Sequence, residues 1–145
     1  MANTVLVKGD PMVKEAVASE AITPGHLVEF GGSNDLQKHS TAGGNARAAF
    51  MREQDYIGQD IDQACAAGDR IPYLIGRQGD EVRGLVAAGT AAISKGGPLE
   101  SAGDGTLQPH GTAATGDPDN VVAYAMEAVD NSGGSSAVRI KAEIA

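Results

Sequence analysis

An internal repeat constrains the fold of this chain of 145 residues more than any other feature of its sequence. The segment Ile-Thr-Pro-Gly-His-Leu-Val-Glu, which begins at Ile22, recurs from Ile93 as Ile-Ser-Lys-Gly-Gly-Pro-Leu-Glu. The match continues in register at 36–39 with 107–110 and at 41–42 with 112–113, and after a small insertion Met51 and Asp55 pair with Met126 and Asp130. Several matches at one offset indicate a duplication. The alternative is that Ile-x-x-Gly hairpins recur by chance in a Gly-rich β protein.

Each copy of the repeat predicts a β-hairpin unit. Pro24-Gly25 and Lys95-Gly96 suit the central positions of a type II turn, where the second residue needs a positive φ. A short strand that ends in Glu follows each turn, and then come a Gly-rich turn and a second short strand. We therefore expect two related hairpins, which begin near Ile22 and Ile93.

Further strands are predicted by hydrophobic periodicity. Residues 138–144 alternate apolar and charged side chains, which is typical of a half-buried strand, and the apolar run 121–129 precedes them across a turn. We interpret 121–144 as a hairpin with a loose loop. A second hairpin is predicted from 71–75 and 82–88, with Pro72 favouring a sheet edge. Only 62–68 shows a helical signal, of about two turns.

Composition favours the same fold class. The chain has 20 Gly and 6 Pro but only 3% aromatic residues, which indicates short strands and many turns. The sequence predicts an all-β protein: a small barrel or sandwich built from the two hairpin units, with at most one short helix. We expect an extended N-terminal arm over residues 1–12 and a single β domain over 13–145.

The charge of the chain narrows its partners. Eleven Lys and Arg against 19 Asp and Glu give a net charge of −8, which disfavours nucleic acid because phosphate backbones repel an acidic protein. No apolar run approaches the roughly 18 residues of a membrane span, so we expect no membrane partner. The first residues lack the pattern of a secretory signal, and the single Cys65 cannot form an internal disulfide. We expect assembly in a reducing cytoplasm.

Candidate catalytic and metal-binding residues do not form a known motif. His39 and His110 occupy equivalent repeat positions, but neither has Asp, Glu or Cys at metal-ligand spacing, so we interpret both as exposed turn residues. Cys65 lies among small residues without a neighbouring base and is expected to be a buried structural thiol. The acidic turn 117–120 lacks the spacing of an EF-hand. We predict no catalytic residue, no metal site and no cofactor.

Several segments together resemble a known family. Their shared features are turn glycines and small strand residues in a fixed order; they are 70–75, 79–82, 88–90, 93–96, 101–107 and 122–128. In this order and spacing, the chain from about Ala16 onward resembles the head decoration, or cement, proteins of tailed double-stranded DNA bacteriophages. Those motifs are turn and packing residues, so the resemblance transfers no catalytic or contact residue.

The resemblance implies a structural role. Proteins of that family bind the outer surface of the assembled phage head, usually as trimers, and stabilise contacts between major capsid proteins. It therefore implies a virion protein whose partners are the major capsid protein and two further copies of itself. Two alternatives stay open: a small β-barrel hydrolase or ligand-binding domain, and an adhesive tail or fibre module.

The N-terminal segment is the candidate capsid-binding site. Its residues form a short β-prone run that Gly9-Asp10-Pro11 separates from the rest; they are Asn3, Thr4, Val5, Leu6 and Val7. Such a run can add a strand to an exposed sheet edge of a neighbour, with Val5 and Val7 filling pockets on one face. The alternative is that it forms the first strand of the domain's own sheet.

Overall fold

Eleven short β-strands form the fold of the described residues. The computed structural model describes residues 4–113 and 118–145. The strands are β1 (Leu6–Lys8), β2 (Met12–Val17), β3 (Val28–Phe30), β4 (Leu36–Lys38), β5 (Ala49–Met51), β6 (Arg70–Ile75), β7 (Glu81–Val86), β8 (Pro98–Ser101), β9 (Leu107–Pro109), β10 (Ala123–Ala125) and β11 (Val138–Ile144). Single-turn 3₁₀ helices occupy Asp55–Ile57 and Pro118–Asn120. Within the described residues no helix has the length and apolar character needed to span a bilayer. The predicted all-β class is confirmed.

The larger sheet closes into a small barrel. Its strand order is β1-β7-β11-β10-β8-β9, and β9 returns to β7 through a parallel contact between Leu107 and Val86. Strands β7 to β11 therefore form a closed ring of five. β1 lies outside the ring, paired antiparallel with the first residues of β7. The predicted hairpin between 121 and 144 is confirmed as β10 and β11, and Ile140, Ala142 and Ile144 are buried as their alternation requires.

Strands β2 to β6 form a second ring with the same connections. β2, β6 and β5 make one antiparallel sheet and β3 pairs with β4. Two isolated bridges join these pieces: Ala18 contacts Leu36 in parallel, and Leu27 contacts Phe50 antiparallel. We call β2 to β6 the first unit and β7 to β11 the second unit.

The registers of the two units agree strand by strand. Val28, Glu29 and Phe30 pair with Lys38, Gln37 and Leu36, as Leu99, Glu100 and Ser101 pair with Pro109, Gln108 and Leu107. The bridge from Ala18 to Leu36 corresponds to that from Val86 to Leu107. Equivalent residues are 68 positions apart in β2 and β7, 71 in β3–β4 and β8–β9, 74 in β5 and β10, and 69 in β6 and β11. The duplication is confirmed, and it extends beyond the predicted hairpins to five strands each.

The predicted pairing of Met51 with Met126 is wrong by one residue. Gly25 N–H donates to Met51 O at 2.9 Å, and Gly96 N–H donates to Ala125 O at 2.6 Å. Met51 N–H donates to His26 O, as Ala125 N–H donates to Gly97 O. The structural equivalent of Met51 is therefore Ala125. The connections before these strands differ in length, so the match of identical residues in the sequence falls on Met126, one residue away from the backbone equivalent.

The predicted hairpin between 71–75 and 82–88 is also wrong. β6 pairs with β2 and β5 and belongs to the first unit, whereas β7 pairs with β1, β11 and β9 in the second. The Gly-rich turn between them joins the units, and its amides find partners elsewhere: Gly76 N–H donates to Ala48 O and Gly79 N–H to Ile144 O. Local turn chemistry therefore marks a reversal of the chain but not a pairing of its flanking strands.

Pro72 does not place its strand at a sheet edge, because β6 has neighbours on both sides. Pro72 O accepts a hydrogen bond from Arg52 N–H at 2.9 Å, just beyond the end of β5. The N and O of a strand residue point to the same side, so the N–H that Pro72 lacks would face Arg52, beyond the last residue of β5. The helix predicted over 62–68 is absent; turns and irregular chain occupy those residues.

The two units share one of their two cores. The smaller cluster fills the first unit and contains Ile22, Val28, Met51, Cys65 and Ile71 among its buried residues. The larger cluster fills the second unit but also includes Leu27, Phe50 and Leu74, which point outward from the first. Packing of the first unit against the second therefore buries side chains from both.

The N-terminal segment belongs to the second unit's sheet from Leu6 onward. Leu6 pairs with Val82 and Lys8 with Glu81, with a register irregularity between them. Val5 is completely buried in the larger core. Residues 5–8 are therefore not an arm separate from the body. They follow the alternative given above, in which the segment forms a strand of the domain's own sheet. β2 begins at Met12, one residue before the predicted start of the domain.

Candidate functional surfaces

The predicted capsid-binding residues differ in what they leave available to a partner. Asn3 lies outside the described residues. Thr4 is exposed, and its O accepts a hydrogen bond from Arg83 Nη1 at 2.9 Å. Val5 N–H donates to the buried carboxylate of Glu53 at 2.9 Å, and its side chain has no exposed area. Leu6 and Val7 are half-buried. Val5 is thus committed to the protein's own core, and contact of Thr4, Leu6 or Val7 with a capsid stays a prediction.

A polar cluster is repeated in the two units. Glu29 accepts hydrogen bonds from Gln37 Nε2 at 3.0 Å and Ser40 Oγ at 2.6 Å. At the equivalent position Glu100 accepts from Gln108 Nε2 at 2.9 Å and from the amide of Ala113 at 2.8 Å. Each carboxylate sits opposite its glutamine in a hairpin of the same register. The repeated Glu therefore anchors the chain after each hairpin.

Both histidines of the repeat lie against these carboxylates. His39 Nε2 is 3.6 Å from Glu29, and His110 Nδ1 is 3.3 Å from Glu100. His39 is buried and its Nδ1 lies 2.6 Å from Ser101 Oγ, so it connects the two units. His39 is therefore not an exposed turn residue, and His110 lies in a turn as predicted but is half-buried. Local spacing could not show this, because the partner of each histidine comes from across the hairpin.

The two carboxyl groups are held in their charged form. Burial by itself raises the pKa of Glu100, but hydrogen bonds from Ala113, Gly111 and Gln108 and the nearby His110 outweigh it and lower the pKa below its ordinary value. For Glu29, burial is likewise outweighed by hydrogen bonds from Ser40 and Gln37, and the pKa is again lowered. These groups are structural anions with satisfied lone pairs, and such carboxylates are poor proton donors or acceptors near neutral pH.

His26 and Cys65 are internal and have structural partners. Burial, with the positive charge of Lys38, lowers the pKa of His26 to about 4, and its Nδ1 accepts a hydrogen bond from Thr23 N–H at 3.0 Å. Cys65 is buried as predicted; burial raises the pKa of its thiol, and its Sγ accepts from Ile22 N–H at 3.4 Å. Residues 4–113 and 118–145 contain no group of three or more His, Cys, Asp or Glu placed to hold a metal ion.

The mouth of the first unit is an apolar surface that the sequence analysis missed. A cavity of about 110 Å³ is lined by Val28, Phe30, Leu36, Ala49 and Tyr73, with Glu29 and Arg47 at its rim. Phe30 packs edge-on against Tyr73 at 6.1 Å between ring centroids, yet it is 51% exposed. Met12 and Val13 of β2 are 51% and 46% exposed. Phe30 stands where the second unit has Ser101. A large apolar residue in place of a small polar one at this repeat position was the sequence signal for the apolar surface.

Comparison with solved structures identifies a similar protein. The N base of head fiber gp8.5 of bacteriophage phi29 superposes with a TM-score of 0.56 at 18% sequence identity, over 92% of this chain and 93% of that one. The chain has the fold of this head fiber base. No protein-family model matches the sequence, and a search of curated protein sequences gives no match.

Proposed function

We propose that this chain is a structural, non-enzymatic protein of a tailed-phage head, where it binds the outer surface of the shell and stabilises contacts between major capsid proteins. The observation that carries the proposal is the shared fold with the phi29 head fiber base over nearly the whole of both chains. The resemblance of the sequence motifs to head decoration proteins points to the same class of particle.

The chemistry of the described residues supports a binding role. The repeated Glu and His residues serve to anchor the hairpins, and His26 and Cys65 are occupied by internal hydrogen bonds. A net charge of −8 suits a protein that works beside packaged DNA without competing for it. The first unit has exposed apolar side chains at Met12, Val13 and Phe30, a kind of surface that proteins bind.

Addition of purified protein to expanded, undecorated heads tests this function. We expect co-sedimentation that saturates at a fixed number of copies per head, whereas heads of an unrelated phage serve as the control and bind none. Binding that never saturates, or that is equal on both kinds of head, would contradict the proposal.

The bound form is proposed to be a homotrimer. Three linked copies engage three sites at once, and the second and third contacts gain from effective concentration. Light scattering of the free protein and electron microscopy of decorated heads measure this directly. A trimer in solution or three-fold density on the head is the expected result; single copies in both states would contradict it.

The name of the structural neighbour favours a second candidate, the base of a fibre on the head. The same micrographs separate the two roles, because a cement protein forms low caps between capsid subunits and a fibre base carries a projection away from the shell.

A further inference from the structure

The outer edge of β2 in the first unit is open where its equivalent in the second unit is filled. β7 carries β1 on this edge, with Arg83 N–H donating to Val5 O at 2.7 Å. β2 is an edge strand of its sheet, and its residues Met12 to Glu15 are exposed. Among residues 4–113 and 118–145, the structure therefore contains one occupied and one vacant copy of the same strand-binding edge.

Pro72 identifies which backbone groups of β2 face outward. Its O points towards Arg52 and away from β2, so Pro72 and Glu15 form a non-hydrogen-bonded pair. The N–H and C=O of Glu15, and of Val13 two residues earlier, consequently point to the open edge. Glu15 is the equivalent of Arg83, whose N–H binds Val5 in the second unit.

The cavity reaches β6, the strand next to β2. Tyr73, the cross-strand partner of Lys14, lines it together with Val28, Leu36 and Ala49. The second-unit equivalents of these four residues, Ala142, Leu99, Leu107 and Ala123, have no exposed area and belong to the same core as Val5. The same four positions thus line a cavity in the first unit and pack in the core that contains Val5 in the second.

We propose that the open edge of β2 and the adjacent cavity bind an extended segment of the head-shell protein as an added antiparallel strand. The segment carries an aliphatic residue for the cavity and an acidic residue opposite Lys14, with an apolar residue opposite Val13. In the filled copy the corresponding pairs are Leu6 with Val82 and Lys8 with Glu81. The identity of the partner rests on the function proposed above; the strand-binding edge does not.

A second copy of this chain fits the edge poorly. Two β2 strands related by a two-fold axis place residues of the same parity opposite each other, so a centre at Lys14 or at Glu15 sets a charged residue against its own copy. A centre at Met12 or Val13 avoids this, but it pairs Val13 or Glu15 with Pro11, which has no N–H to donate. β1 of another copy is already paired with its own β7.

The variant Val13→Pro tests the edge directly. Proline removes an N–H that points outward, so the pairing of β2 with β6 and the melting temperature are expected to stay unchanged. The matched control Val13→Ala keeps the N–H. As a probe we use the acetylated, amidated peptide Thr-Val-Glu-Val-Leu. It copies residues 4–8, but Glu replaces Leu6 to face Lys14 and Leu replaces Lys8 to face Val13. We expect hydrogen-exchange protection of the Val13 and Glu15 amides in its presence, and about tenfold or more weaker binding by Val13→Pro.

A second variant covers a failure of Val13→Pro to fold. Phe30→Ser introduces the residue of the second unit, removes apolar area from the mouth and is expected to weaken peptide binding. Equal binding by the wild type and a folded variant, or protection elsewhere than at β2, overturns the inference.

Undecorated heads separate this inference from the proposed function. Wild-type binding that Val13→Pro abolishes supports both, and equal binding by the two leaves the function standing but overturns the edge. If the wild type does not bind heads, the function fails and the peptide result alone decides the edge. A wild-type oligomer that Val13→Pro dissociates would assign the edge to a second copy and overturn the proposal.

Discussion

At the scale of residues, the two glutamates of the repeat occupy equivalent positions but differ in burial. Glu100 is completely buried and Glu29 is partly exposed, although both accept hydrogen bonds from the same glutamine position. A buried carboxylate depends on its donors more strongly than an exposed one, because water cannot replace them. The deeper copy is therefore the more sensitive to substitution.

Glu100→Gln is expected to lower the free energy of unfolding at pH 7 by about 1–3 kcal/mol, because the new amide N–H groups face the Gly111 and Ala113 donors. Glu29→Gln is the matched control and should cost less. The lowered pKa of Glu100 makes its contribution complete above the unfolded value of 4.5, and the contribution is lost as the pH falls through the folded value. Urea unfolding at pH 7 and pH 3 measures this contribution. The difference in free energy of unfolding between wild type and Glu100→Gln should be smaller at pH 3 than at pH 7, and an equal difference at both pH values would contradict the role given to the charged Glu100.

His26 gives a second pH dependence in a different window. The unfolded chain binds a proton at His26 below pH 6.5, whereas the folded protein does so only near pH 4. Stability from this residue is therefore full above pH 6.5 and decreases as the pH falls from 6.5 to 4, by on the order of 3 kcal/mol or less. His26→Asn, which keeps an acceptor for Thr23 N–H, should flatten the decrease. NMR titration of the ring measures the pKa, and a midpoint above 6 would contradict the prediction.

At the scale of elements, the two repeat turns share a backbone conformation but have different surroundings. Gly25 has φ of +96° and Gly96 has φ of +86°. A Cβ at Gly25 would lie 2.8 Å from Arg83 O and 2.6 Å from Arg139 Nη1, whereas a Cβ at Gly96 would meet nothing within 4 Å. The first turn packs against the second unit, and the second turn faces open space.

Gly96→Ala should therefore cost only the left-handed backbone penalty of about 1–2 kcal/mol. Gly25→Ala adds a clash with main chain that cannot rotate away, and we expect it to cost at least about 2 kcal/mol more. Thermal unfolding of the two variants side by side measures the difference. Equal losses would show that the packing of the first turn can yield.

The elements also show how far the sequence could be interpreted. The hairpins of the repeat and the strand at 138–144 were predictable because turn glycines and alternation are local signals. The assignment of β6 and β7 to different units was not, since their amide partners, such as Ala48 and Ile144, are distant in sequence. The burial of His39 depends on Ser101 of the other unit, and the open edge of β2 is visible only by comparison with β7.

At the scale of the whole molecule, the shared core couples the two units. Phe50 lies in β5 of the first unit, but its side chain is buried in the larger core with Leu107 and Val86 of the second. Arg139 of β11 returns the contact, donating to Pro24 O at 2.9 Å in the first unit. Unfolding of either unit would therefore also remove packing contacts of the other.

Calorimetry should accordingly show one cooperative unfolding transition for the chain. Phe50→Ala should lower its stability by about 3–5 kcal/mol and keep a single transition. Phe30→Ala is the matched control, because half of that ring is already exposed, and its effect should be small. Two resolved transitions, in the wild type or in Phe50→Ala, would contradict the coupling.

The unequal spacing of equivalent strands has a practical consequence for engineering. The spacing changes from 68 to 71, 74 and 69 residues along the units, while the registers inside each sheet stay the same. Additions and deletions of chain have thus been absorbed by the connections after β2, β4 and β5. The connection between β10 and β11 is the shorter one of its pair, and its residues 132–137 are exposed. A foreign peptide spliced in there would restore length that the first unit already accommodates.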